Sequence, residues 1–389
     1  MWKFPTYTTH IQQSWSSTAC THMLSEADWV KIVDWIHDTS STVVHTDELR
    51  QPYIDLVCRI CHEYITQETD RRLFQLHAVS IIFVVSCFAS DFPARLDDMD
   101  SMCGYAYTQA QIVTQVYSVL QWLVPSTNTA ICGKETMPLY QNMETVCTLV
   151  CTLDGRRLVR KTIQHDVQHL PMYHGVTEIV ADYLMRSRGK QHPNVVSLVT
   201  LAVCPQELSL YSDYIPETFG SAVAPSAMLG LLEGVAAMHS AGISHRDLKP
   251  ENIRHTDARG MILIDLGAAG FGRHRSTIPV CTITHRSPDI LEAESTGRAY
   301  CYDGYALDVW SLGVLLAEWY TRSKPFGRVT SETTASEMLE QIQRGMSDAV
   351  VRVRNVLGDG LFSRLILRCL GPPSHRPTVQ ELIHAFPNE

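Results

Sequence analysis

The sequence predicts an all-helical domain followed by an α+β domain. Three observations carry this expectation. Between residues 25 and 124 apolar side chains recur at three- and four-residue steps, with no convincing strand. Past residue 140 the period shortens to two over two strand-length runs before helical spacing returns. At 389 residues, 45% hydrophobic and 19% charged, the chain has material for two cores, and no long Pro/Gly/Ser or single-charge run suggests a disordered tail.

Taken in order, the first helices follow from Trp29, Ile32, Val33 and Ile36, then Ile54, Val57 and Cys61. Leu73 to Phe88 is apolar nearly all round, which in a soluble protein marks a helix surrounded by others. A bundle over 25–124 with one central helix is therefore expected. Pro125, Ser126, Thr127, Asn128 and Thr129, with Gly133 and Pro138 beyond, predict a joint over 125–138. Its roughly 14 residues reach at most about 50 Å when extended. The domain after it, 139–389, opens with strands over Thr145 to Val150 and Leu158 to Ile163, turned at Asp154-Gly155. A helix from about His174 to Arg188 follows, with Val176, Ile179, Val180, Tyr183 and Leu184 on one stripe.

Composition excludes several classes of function. Net charge is −9 and the basic residues are scattered, which argues against nucleic acid as a main partner. The longest apolar run, Ala78 to Ala89, is short of the ~20 residues a spanning helix needs, and no basic-then-apolar leader opens the sequence. A protein kept inside the cell, in nucleus or cytoplasm and away from membranes, is expected. The 12 cysteines are dispersed and read as thiols. Cys58, Cys61 and His62 have the C-x-x-C-H spacing of haem attachment, but on a helix of an unexported chain they read as buried small side chains.

The strongest motif is His245-Arg246-Asp247-Leu248-Lys249-Pro250-Glu251-Asn252, followed by Asp265-Leu266-Gly267. It resembles the catalytic loop and magnesium loop of protein kinases. The resemblance implies a two-lobed fold, ATP and Mg²⁺ as cofactors, and transfer of the γ-phosphate to protein hydroxyls. Phosphoryl transfer asks for a hydroxyl held in line and for phosphate charge neutralised by metal. Asp247 would orient the hydroxyl, Lys249 would steady the transferring group, and Asn252 and Asp265 offer the hard oxygen ligands Mg²⁺ prefers. Lys249 in this loop follows the serine/threonine pattern.

Further resemblance extends in both directions. Leu158-Val159-Arg160-Lys161 stands at the V-A-I-K position, making Lys161 the phosphate-binding lysine and Glu178 its expected partner, with Asp182 as the alternative. By the resemblance, Asp213, Tyr214 and Ile215 fall beside the adenine, with Ser212 as a small residue at the back of the pocket. Ser287-Pro288-Asp289 stands where kinases have Ala-Pro-Glu, so Asp289 would pair with Arg376 through a carboxylate one methylene shorter. Asp308 opens Asp308-Val309-Trp310-Ser311-Leu312-Gly313, the next buried helix. Thr277 falls on the threonine phosphorylated in cyclin-dependent kinases, with Arg246 to receive its phosphate, although Gly270 stands where a second arginine would be. Tyr140 to Cys151, where a glycine-rich phosphate loop belongs, has no glycine.

In the first half, Val33-Asp34-Trp35-Ile36, Arg71-Arg72-Leu73-Phe74-Gln75-Leu76, and Tyr107-Thr108 before Leu120-Gln121-Trp122-Leu123 resemble one five-helix cyclin box over 25–124. The box's usual internal Arg–Asp pair falls on Trp29 and His62, and its kinase-facing lysine and acid fall on Leu73 and Asp98. Asp303 to Thr321 is similar to cyclin-dependent kinases, and Gly267-Ala268-Ala269 is similar to alphaherpesvirus serine/threonine kinases. The implied architecture is a cyclin box fused to its kinase and activating it in cis. The alternatives are a pseudokinase scaffold whose cyclin-like domain binds a separate kinase, and a kinase with an unrelated helical regulator.

Overall fold

The computed structural model describes residues 26–44, 47–65, 73–89, 95–104, 106–125, 131–142, 145–164, 173–204, 206–218, 226–276, 281–297, 300–327, 329–330 and 332–387. Thr277, Arg71 and Arg72 lie outside them. The chain divides into two compact units, 1–180 with 198–212, and 181–197 with 213–389.

The first unit opens with five described helices: α1 Glu26–Val43, α2 Asp47–Ile65, α3 Phe74–Ala89, α4 Leu96–Met102 and α5 Gln109–Leu123. Every residue of α3 is buried, as its unbroken apolar run requires, and α2 and α5 pack on it. Aromatic edges fill the joins. Tyr64 meets His77 and Trp122 edge-on, each at 5.4 Å, and Trp29 meets His62 at 5.2 Å. Cys61 is fully buried in this packing, and burial pushes the Cys58 thiol up to about 11. Asp98, expected to face a kinase, accepts the Arg95 backbone N–H at 2.9 Å and so caps its own helix.

A five-stranded sheet completes this unit, built from β1 Ile131–Gln141, β2 Thr145–Thr152, β3 Arg157–Gln164, β4 Leu198–Cys204 and β5 Glu207–Asp213 in the order β1-β2-β3-β5-β4, with β1–β2, β2–β3 and β4–β5 antiparallel. The second half of the stretch expected as a joint is therefore strand. Pro138 is tolerated there because β1 is an edge strand, where a missing N–H breaks no inner ladder. Gly155 takes φ +86° in the β2–β3 turn, as its position predicts. Helix α6, Tyr173–Ser187, begins in this unit and ends in the other.

The second unit is mainly helical. Its longer helices are α7 Ala227–Ser240, α9 Gly304–Thr321 and α10 Ala335–Leu357, with α8 Pro288–Ser295, α11 Leu361–Cys369 and α12 Val379–His384. Small ladders carry its loops: β6 Glu217–Thr218 with β8 Ile253–Thr256 and β9 Gly260–Leu263, β7 Ile243–Ser244 with β10 Gly270–Phe271, and β11 Arg273–Ser276 with β12 Tyr300–Asp303. Trp310, fully buried on α9, stacks on Phe326 at 5.9 Å and packs with Leu291, Met338 and Ile342. No described helix is long and apolar enough to cross a membrane.

Candidate active site

In the first unit, β3 and α6 bring Lys161 and Glu178 together. Lys161 Nζ lies 2.9 Å from Glu178 Oε2, and both side chains are largely covered. Asp182 instead accepts from Arg186 one turn on, at 2.9 Å. The approach of α6 to the sheet depends on Gly175. A Cβ there would stand 2.6 Å from Ile163 Cδ1 and 2.7 Å from Leu208 Cδ2. From Gly175 to Met185 every residue of α6 is buried. On its remaining side Thr177 Oγ1 donates to the Cys87 carbonyl of α3 at 3.0 Å. That carbonyl belongs to the last turn of α3, where intrahelical donors run out.

The β1–β2 turn closes without glycine. Asn142 Oδ1 accepts from the Thr145 N–H at 2.7 Å, and the Asn142 N–H donates to the Thr145 carbonyl at 2.9 Å. An asparagine side chain thus supplies the turn geometry that a glycine's backbone freedom would otherwise provide.

In the second unit the loop after β7 carries Asp247. Its carboxylate is held from both sides: Lys249 Nζ approaches Oδ2 to 2.7 Å, Asn252 Nδ2 donates to Oδ2 at 3.1 Å, and the Thr282 N–H and hydroxyl both donate to Oδ1, at 2.9 and 2.8 Å. Lys249 Nζ also donates to Thr282 Oγ1 at 2.8 Å. Burial pushes the Lys249 ammonium down, but Asp247, joined by Glu251 and Asp265, outweighs it and holds the group above the usual lysine range. Lys249 is therefore a fixed positive charge beside Asp247. Thr282 was not singled out by the sequence, since nothing local separates it from Thr284. Only the fold lays it over Asp247.

The loop's backbone is strained and clamped. Arg246 and Asp265 take φ +65° and +61°, a conformation that side chains other than glycine rarely adopt. Asp308, fully buried on α9, holds the first: Oδ2 accepts the His245 N–H and Oδ1 the Arg246 N–H, both at 2.8 Å, while His239 Nε2 lies 2.9 Å from Oδ2. The Arg246 side chain is bound to the Ala268 and Ala269 carbonyls and the Tyr302 hydroxyl. Asp289 meets Arg376 through one bond of 2.8 Å; the other guanidinium donors go to the Gly371 and Ala306 carbonyls at 3.0 Å. A bidentate grip is not formed, in keeping with the shortened carboxylate.

Residues for a metal ion fit Mg²⁺ in kind. Asn252 spends its amide N–H groups on the Asp247 carbonyl and carboxylate, leaving its amide oxygen as an acceptor, and Asp265 adds a carboxylate. Asp213 ends β5 and opens the second unit, Tyr214 is half-buried and Ile215 buried.

Comparison with known proteins gives the family and the fold. Residues 143–386 match the family model described as the protein kinase domain. Similar curated proteins include CBL-interacting serine/threonine-protein kinase 15 of Arabidopsis thaliana, 26% identical over 220 residues, 54% of this chain and 50% of that one. Putative cyclin-dependent kinase F-2 of Oryza sativa subsp. japonica is 38% identical over 103 residues, 26% and 30% of the two chains. Cyclin-dependent kinase 10 of Rattus norvegicus is 29% identical over 168 residues, 39% and 45%. The chain thus spans half or less of the curated relatives it matches. A solved structure of the CAK complex from Chaetomium thermophilum bound to ATP-γ-S has the same fold over 64% of this chain and 89% of that one, with a TM-score of 0.51 and 23% identity.

Proposed function

Because the chain belongs to the protein kinase family, we propose that it transfers the γ-phosphoryl group of ATP to serine or threonine hydroxyls of protein substrates, and that its helical half activates it in cis. The observation that carries this is the 2.9 Å Lys161–Glu178 pair on a helix buried from Gly175 to Met185. Lys161 holds ATP phosphates when Glu178 keeps it in place, and Asp213 and Ile215 line the adenine side. Asp247 orients the attacking hydroxyl, with Lys249 and Thr282 fixing the carboxylate, and Asn252 and Asp265 hold Mg²⁺. Bound there, the ion supplies neutralisation of phosphate charge.

Activation in cis is the finer part of the reading. A surface helix normally keeps one polar face in water, whereas α6 is covered all round, with α3 reaching Thr177. Five described helices over 25–124 and the Trp29–His62 ring contact, standing where a cyclin box has its internal ion pair, support a cyclin-like domain on the kinase domain 139–389. The glycine-free Asn142–Thr145 turn favours the second reading, a scaffold with lost catalysis that binds a separate kinase.

Transfer from labelled ATP with Mg²⁺ to the protein itself and to a basic substrate, in wild type and Asp247→Asn, separates the two. The kinase reading expects transfer that falls a hundredfold or more in the variant, within the range general acid–base groups contribute. Folded wild type that transfers nothing, alone, would leave the scaffold.

A further inference from the structure

The Arg246 side chain, which the resemblance gives to a phosphate on the activation segment, is engaged from within. Its Nε donates to the Ala268 carbonyl at 2.6 Å, one terminal nitrogen to the Ala269 carbonyl at 3.1 Å, and the other to the Tyr302 hydroxyl at 3.1 Å. The residue is buried, 7% exposed. Room for it comes from Gly270, where a Cβ would stand 2.8 Å from the guanidinium carbon. The second arginine that the sequence lacks at 270 is thus replaced by space that Arg246 itself occupies.

Tyr302 is held as firmly as the group it binds. Its ring is buried with Ile290 and Leu307. Its strand β12 pairs residue for residue with β11, from Arg273 opposite Asp303 to Ser276 opposite Tyr300. The next residue, Asp303, caps α9 by accepting from Tyr305 and Ala306 N–H groups at 2.9 and 3.2 Å. Further along that helix, Asp308 holds the Arg246 backbone N–H at 2.8 Å. Backbone and side chain of Arg246 are therefore both tied to the start of α9, one through Asp308 and the other through Tyr302. This closes a ring of contacts around a residue strained at φ +65° and directly preceding Asp247.

We propose that Tyr302 is a positioning residue for phosphoryl transfer: its hydroxyl, with two carbonyls, fixes Arg246 and so the loop bearing Asp247, making activity independent of phosphate on the activation segment. This rests on the kinase reading above. A buried guanidinium deprived of one acceptor re-orients to find another, and the strained loop it anchors moves with it.

The test uses the full chain, treated with phosphatase and checked by mass for loss of every phosphate, beside untreated protein and Tyr302→Phe. Initial rates are read with a basic peptide at varied ATP. The proposal expects treated and untreated wild type to share the same kcat within about twofold. It expects Tyr302→Phe to lose roughly tenfold in kcat with KM for ATP unchanged, the size of one charge-assisted hydrogen bond, and the melting temperature to fall by only a few degrees, so that the protein stays folded at the assay temperature. Wild type active only before phosphatase treatment overturns it, because phosphate would then be holding Arg246. Unchanged kcat in Tyr302→Phe, or kcat, KM and melting temperature falling together, overturns it as well, since the hydroxyl would then position nothing or serve only stability. Failure of the kinase reading looks different, with no transfer from either form of the wild type.

Discussion

His285 is buried, 4% exposed, and its Nε2 has no hydrogen-bond partner among the described residues. Burial, with Lys249 and Lys324 adding to it against the opposing pull of Asp247, lowers its pKa to about 4 from an ordinary 6.5. The folded chain therefore favours the neutral ring. Stability from this residue is complete above about pH 6.5; it falls as the unfolded chain takes up a proton the folded one refuses, and is gone below about pH 4. A shift of this size corresponds to roughly 3 kcal/mol. Denaturant titrations between pH 7 and 4 should show that decline in wild type and a flatter profile in His285→Phe. At this scale the sequence was readable where a motif fixes spacing, as for Asp247 and Asn252, which the fold brings to 3.1 Å of each other. It was silent on Thr282 and Tyr302, whose partners lie 35 and 56 residues away and meet them only through the fold.

Among elements, α6 carries both Glu178, paired with Lys161, and Thr177, bonded to the Cys87 carbonyl of α3. Its helical stripe was plain in Val176, Ile179, Val180, Tyr183 and Leu184, yet periodicity could not show that Thr177, Glu178 and Asp182 are buried as well. Polar residues on a helix read as a wet face until a second layer covers them. Strand β1 was hidden for the opposite reason, because Gly133 and Pro138 punctuate it and an edge strand accepts both. Gly175→Ala tests the coupling. Helix propensity gains up to about 1 kcal/mol, while overpacking against Ile163 and Leu208 costs about 1–3 kcal/mol. A net loss of about 1 kcal/mol in unfolding free energy, read from denaturant titrations, is expected, with weaker ATP binding as Glu178 is displaced from Lys161, read by titration calorimetry.

For the whole molecule, the two classes predicted from pattern, helical then α+β, are both present, but the compact division does not fall at the joint. The bundle and the small sheet share one unit, and the boundary runs through α6 and after Ser212. Composition shifts mark where a chain changes pattern; packing decides which parts become one body. Arg376 illustrates the same point in the second unit. Only 2% of its side chain is exposed, it lies over Trp310 at 5.3 Å, and it ties nearby Gly371 to Asp289 and Ala306, 87 and 70 residues away.

The bond from Thr177 to Cys87 spans 90 residues of a single polypeptide, and on the proposed reading it has a consequence for dose. An activator borrowed from another chain is lost by dilution, so specific activity falls as the mixture thins. An activator on the same chain stays at the local concentration set by its tether, however few molecules are present. Rate per molecule should therefore hold constant as the protein is diluted from micromolar to nanomolar, and total output should rise in simple proportion to the number of copies made.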